Sequence, residues 1–168
     1  RPKSNKENKV VRALTIEEQE AFTNWLVDKP IDEFKYRNVY LLQMYTGLRV
    51  GEALALTTHD IDLKNKRLNI SRTLTTDEKG NIIMGNKTNN SKYCRRSTIN
   101  NELKRILKQE LNITDISSHS LRHTFGTRCI ESGMAPVVVQ RLMGHKDITV
   151  TLNTYTSVLE QFKERELD

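Results

Sequence analysis

Four groups of polar side chains in this 168-residue chain fall at turns or helix starts rather than on smooth amphipathic faces. Arg49 follows Gly47, His119 and Arg122 stand together at a helix start, His145 follows Gly144, and Tyr155 comes ten residues later. Their chemistries are complementary. Guanidinium groups are planar, permanently charged donors that grip an oxyanion bidentately. Imidazole moves protons near neutral pH, and a phenol becomes a nucleophile once its proton is removed. Singly each is weak: an arginine after a helix-ending glycine is ordinarily a surface residue or a partner of the helix C-terminal dipole. The conjunction is what points to a site.

The elements that must position these groups can be read from pattern. Thr15 and Glu18 have capping-box spacing, and Phe22, Trp25 and Leu26 then recur at helical intervals up to Pro30, which predicts a helix at about 15–28. Tyr36, Val39, Tyr40, Leu42 and Met44 form a second helical pattern that stops at Gly47, a residue suited to the left-handed conformation beyond a helix. Residues 50–56 restart a short helix, so Arg49 and Glu52 lie on adjacent turns and can face the same way. Between Asp60 and Asn100 the pattern turns to β-branched residues, polar alternation and turn chemistry, with Lys79-Gly80-Asn81 and Asn86 to Ser91 as hairpin tips. A small antiparallel sheet of three strands is expected there. Helices return at 100–111, from Ser117 or Ser118 to Gly133, from Pro136 to Gly144, and briefly before Tyr155. The stretch 157–166 is charged and weakly amphipathic. The expected class is α+β, mostly helical with a three-stranded insert.

Length and 36% hydrophobic content fit a single core. Lys and Arg number 27 against 21 for Asp and Glu, a net charge of +6 that fits binding to a polyanion. Much of this excess lies between Lys87 and Lys108, where Lys87, Lys92, Arg95, Arg96, Lys104, Arg105 and Lys108 are set against Glu102 alone. Such a run can equally be a solvated face. No apolar segment approaches the roughly 20 residues that span a bilayer, so the expectation is a soluble, cytoplasmic protein without membrane contact. Cys94 and Cys129 form no metal-ligand spacing and read as free thiols. The first residues, 1–12, resemble an interdomain linker remnant, with the folded domain at 13–168 ending in a tail after Tyr155.

Three segments, TGLRVGEALAL (46–56), HSLRHTFGTRCIESG (119–133) and LMGHKDITVTLNTY (142–155), resemble the signatures of the tyrosine recombinases, the phage integrase type, in both order and spacing. That family carries an Arg in its first box, His-x-x-Arg in its second, and then Gly-His followed ten residues later by a Tyr. Here these are Arg49, His119 with Arg122, His145 and Tyr155, and no signature position is substituted. The resemblance further implies a catalytic lysine in the polar hairpin. NKTNNSKYCRRSTI (86–99) offers Lys87 as the better match and Lys92 as its competitor, with Lys92, Arg95 and Arg96 as DNA contacts. Glu52 matches an acid that supports the family's active site.

The implied activity is site-specific recombination or integration of double-stranded DNA. Attack on an anionic phosphodiester places more charge on the non-bridging oxygens, which Arg49 and Arg122 would stabilise. A phenol titrating near 10 is ionised in about one molecule in a thousand at neutral pH, so His119 would act as general base. Lys87 would protonate the departing 5′ oxygen and His145 would hydrogen-bond the phosphate. No cofactor and no metal are implied, because fixed cations stand where a metal would. The family works as a homo-tetramer on paired sites; an isolated domain is expected to be monomeric.

Two rivals accompany this reading. A type IB topoisomerase shares the chemistry but relaxes DNA, and a binding-only helix-turn-helix regulator could use 119–132, Gly133 and the helix from Pro136 to Met143. The regulator leaves Arg49, His145 and Tyr155 without a role. His119 and His123, four apart, have a spacing that can bind zinc, but no Glu follows His119 and a third ligand is lacking nearby.

Overall fold

A computed structural model of the chain describes residues 11–30, 34–76, 82–84, 96–145, 147–149, 151–152 and 155–156. Helix α1 (Ile16–Asp28) begins at Thr15, whose hydroxyl accepts from Glu18 N at 3.1 Å while the Glu18 carboxylate accepts from Thr15 N at 2.9 Å. This is the capping box that the spacing predicts. Helix α2 (Arg37–Thr46) stops at Gly47, which has φ 68° and donates its N–H to the Gln43 carbonyl. Arg49 then opens α3 (Val50–Ala55). Helices α4 (Arg96–Glu110), α5 (Ser118–Glu131) and α6 (Pro136–Leu142) complete the helical set, with further helical turns at 148–149, 151–152 and 155–156. The helix expected at 100–111 thus starts four residues earlier.

The three-stranded sheet needs correction. The described residues form two separate antiparallel pairs, β1 (Ile61–Asp62) with β2 (Arg67–Leu68), and β3 (Leu74–Thr76) with β4 (Ile82–Met84). Two interactions divert the chain between the pairs. Arg72 reaches back to the buried Asp60 carboxylate, and β3 lies against α3, where a Cβ on Gly51 would sit 2.3 Å from the Leu74 carbonyl oxygen. The strand is therefore held by a helix backbone that only glycine leaves bare. Both hairpin tips expected from sequence lie outside the described residues.

The main core joins α1, α2, α4 and the start of α5. Helix α4 contributes Ile99, Leu103, Ile106 and Leu107, a stripe at helical spacing, and leaves Lys104, Arg105 and Lys108 exposed. Burial of the apolar face and not propensity holds such helices. A second, smaller core contains Cys129, Ile130, Val139, Met143 and Tyr155. The segment entering α1 is pinned to α5, because Leu14 N donates to Thr124 Oγ1 at 2.9 Å and Arg128 Nη2 donates to the Leu14 carbonyl at 2.7 Å. Arg12, placed by sequence in the linker, pairs with Glu18 and donates to the Thr114 carbonyl.

Gly47 is where fold and site meet. A Cβ there would stand 2.4 Å from Phe125 Cδ1 on α5, in a backbone conformation that L residues rarely adopt. Gly47→Ala is expected to lower stability by about 2 kcal/mol through strain and overpacking. Urea unfolding checks this, and an unchanged midpoint would refute it.

Candidate active site

The side chain of Arg122 is the centre of the site. It leaves the first turns of α5, a helix whose start is fixed by Ser117: the Ser117 hydroxyl accepts from Ser120 N, and Ser120 Oγ accepts from Ser117 N. Arg122 is 3% exposed. Its Nη1 donates to the Gly47 carbonyl and its Nη2 to the Met143 carbonyl. One guanidinium thus joins the end of α2, the start of α5 and the end of α6. Burial and the neighbouring Arg49 lower its pKa to about 10, so it remains a cation at neutral pH.

Arg49 converges on the same place from the other side. Its Nη2 donates to the Gly144 carbonyl at 3.0 Å, one residue from the carbonyl held by Arg122. Its Nη1 donates to Glu52 Oε1 at 2.9 Å, and Glu52 Oε2 accepts from Arg49 N at 2.7 Å. Glu52 therefore does two jobs: it caps α3 and holds the Arg49 side chain by its charge. The side chain of Arg49 is half exposed, so an incoming anion can reach it.

Three imidazoles adjoin the arginines. His119 is exposed at the start of α5, and its pKa is lowered by desolvation and by the Arg122 and Arg49 charges. His145 follows Gly144, whose φ of 58° ends α6. Its Nδ1 is 2.9 Å from Thr151 Oγ1, which fixes the ring, and its pKa is lowered by burial, Arg122, Arg49 and His119. His123 packs edge-on to His119 with ring centroids 4.7 Å apart, and burial with its cationic neighbours pushes it down to about 4. Among the described residues no three of His, Cys, Asp or Glu are grouped so as to hold a metal ion.

Tyr155 is adjacent to this cluster but does not face it. It is 1% exposed, its hydroxyl donates to Met143 Sδ at 3.2 Å, and its ring lies 6.2 Å from that of His123. Burial pushes its phenol up to about 12, although Arg122 acts in the opposite sense. The niche exists because residue 126 is glycine: a Cβ there would fall 1.8 Å from the Tyr155 oxygen.

Of the residues singled out by sequence, Arg49, Glu52, His119, Arg122 and His145 come together, and Tyr155 stands beside them in a separate pocket. Lys87, Lys92 and Arg95 lie outside the described residues; Arg96 opens α4. Sequence reasoning overlooked Gly126 and gave Met143 no role beyond a helix boundary. A glycine within a helix costs about 1 kcal/mol relative to alanine and signals a close approach, which was the available clue.

The phage integrase family model matches residues 12–92 and 70–161. The tyrosine recombinase XerA of Saccharolobus solfataricus is 32% identical over 130 residues, covering 70% of this chain and 44% of XerA. XerD of Halalkalibacterium halodurans is 29% identical over 184 residues, covering 94% of this chain and 60% of XerD. The chain thus spans about half the length of these relatives. In structure it resembles the Tn1549 transposon integrase (residues 82–397) in complex with circular intermediate DNA, with a TM-score of 0.72 at 22% identity over 90% of this chain and 62% of that one.

Two outcomes follow from the geometry. Gly126→Ala should expel the phenol from its niche and bring the Tyr155 ionisation from about 12 down towards its ordinary 10; ultraviolet titration against Tyr155→Phe reads this, and an unmoved titration would sink it. The folded His123 pKa of about 4 lies below its ordinary 6.5, so the unfolded chain binds more protons between those values. Stability contributed by neutral His123 is complete above that window and is lost as pH falls through it. Urea unfolding at about pH 7 and about pH 5 should show a smaller loss for His123→Gln than for the parent.

Proposed function

The chain belongs to the phage integrase family, and from that premise we propose that it is the catalytic domain, at 13–168, of a tyrosine-type site-specific recombinase acting on double-stranded DNA. The observation that carries the reading is the convergence of the Arg49 and Arg122 guanidiniums on adjacent carbonyls beside His119 and His145. Two guanidiniums and two imidazoles from three distant segments are brought near one another, with a phenol held beside them.

In this reading the scissile phosphate occupies the cleft at Arg49, His119 and Arg122, where the fixed cations take up the charge that grows on the non-bridging oxygens. Tyr155 swings out of its niche and its oxygen forms a bond to phosphorus as the bond from phosphorus to the 5′ oxygen breaks. The phenol proton passes to His119, whose lowered pKa keeps it a free base at neutral pH. Lys87 protonates the departing 5′ oxygen, and His145 hydrogen-bonds the phosphate. The product is a 3′-phosphotyrosyl link and a free 5′ hydroxyl. Attack by a 5′ hydroxyl from a partner duplex breaks the link, restores the phenol and joins the strands, so no energy cofactor is needed. Lys92, Arg95 and Arg96 grip the DNA backbone. Strand exchange proceeds in a homo-tetramer on paired sites, in the cytoplasm; the isolated domain is a monomer.

A nicked duplex that traps the 3′ adduct tests the proposal. The parent should form a covalent complex, and Tyr155→Phe none. Arg49→Ala and Arg122→Ala should each slow adduct formation by about 100- to 1,000-fold, the scale for losing one preorganised donor at developing charge. Lys87→Ala should be slow on ordinary DNA and restored on a duplex with sulfur as the 5′ leaving atom, which departs without a proton. Absence of any adduct from the parent would favour a binding-only protein, and relaxation of supercoils without joining of paired sites would favour a topoisomerase.

A further inference from the structure

The two arginine-bearing segments are also joined beneath the cleft by a residue that carries no charge. Gln43, on α2, is 1% exposed, and its carboxamide is used at both ends. Its Nε2 donates to the Leu48 carbonyl at 3.3 Å, and its Oε1 accepts from Ser118 Oγ at 2.8 Å. Its backbone carbonyl meanwhile accepts from Gly47 N. Leu48 immediately precedes Arg49, and Ser118 immediately precedes His119. The Ser118 backbone N–H donates in turn to Asn100 Oδ1 on α4 at 2.8 Å, so the start of α5 is held from two helices. Gln43, Asn100 and Ser118 line a cleft of about 330 Å³ together with Arg49, His119 and Arg122.

We infer that Gln43 is a positioning residue: its buried carboxamide sets the separation between Arg49 and the His119–Arg122 pair by tying the α2–α3 turn to the first residue of α5. The inference rests on the proposed active site and adds a residue that acts through the groups it holds, the turn before Arg49 and the start of α5. The physical argument is one of tolerance. Arg122 reaches the same turn through the Gly47 carbonyl, and Gln43 gives that turn a second brace from a group that carries no charge. A buried neutral amide hydrogen-bonded through both its nitrogen and its oxygen is a fixed tie, and buried polar groups paired in this way rigidify the elements they join. A shift of about 1 Å in reacting groups can cost about 100-fold in rate.

The test compares Gln43→Met, close in volume and without hydrogen bonds, with Ser118→Ala and the double variant. Single-turnover cleavage at saturating nicked duplex should fall by about 10- to 100-fold in Gln43→Met, with DNA affinity within about twofold of the parent. The double variant should be no slower than Gln43→Met, since both substitutions break one tie. By proton NMR, the His119 titration should move up towards its ordinary value as Arg49 and the start of α5 separate. Unchanged cleavage in folded Gln43→Met, a loss that appears equally in affinity, or strictly additive single effects would overturn the inference. The His119 titration is read without DNA, so it judges the positioning role even where the parent forms no adduct. Should Gln43→Met fail to fold, Ser118→Ala carries the same readings.

Discussion

The structure depends on one buried cation. Placing the Arg122 guanidinium at 3% exposure would cost several kcal/mol if its donors went unmet. Two of them are met by the carbonyls of Gly47 and Met143, the residues at which α2 and α6 give way to the turns preceding Arg49 and His145. The need to satisfy a buried charge thus selects where two helices stop. Gly47 in its left-handed conformation, the serine cap that starts α5 and the glycine that ends α6 serve that requirement as much as they serve chain direction. Site and fold are one network, and the candidate catalytic charge doubles as a cross-link.

What this network does to its neighbours is electrostatic. Arg49, Arg122 and three imidazoles crowd together while Glu52 is the acid that pairs with Arg49. Burial is the larger cause of the lowered imidazole pKa values, and the repulsion of an added proton by the neighbouring positive charges acts in the same sense. Under the proposed function, an anion placed among these groups relieves that repulsion.

Local rules made much of this legible. The Thr15 capping box, the Gly47 and Gly144 stops and the serine at the head of α5 are decided within a few residues of sequence, and pattern reading found them. The three signature segments likewise place Arg49, His119, Arg122, His145 and Tyr155 near one another. Features set by contacts distant in sequence were not legible. The strand pairing is split by Arg72 reaching Asp60 and by β3 settling on Gly51, neither of which leaves a mark in hydrophobic alternation. The direction of the Tyr155 hydroxyl depends on the absence of a methyl group at Gly126 and on a sulfur twelve residues away. The choice between Lys87 and Lys92 lies beyond the described residues.

Met143 is bound twice, by its carbonyl oxygen to Arg122 and by its thioether to Tyr155. The same amino acid therefore holds both the buried guanidinium and the phenol oxygen. A displacement of residue 143 would change the surroundings of the guanidinium and of the phenol together. Under the proposed function, an encounter with a polyanion that leaves this backbone in place leaves the Tyr155 oxygen shut against its sulfur partner.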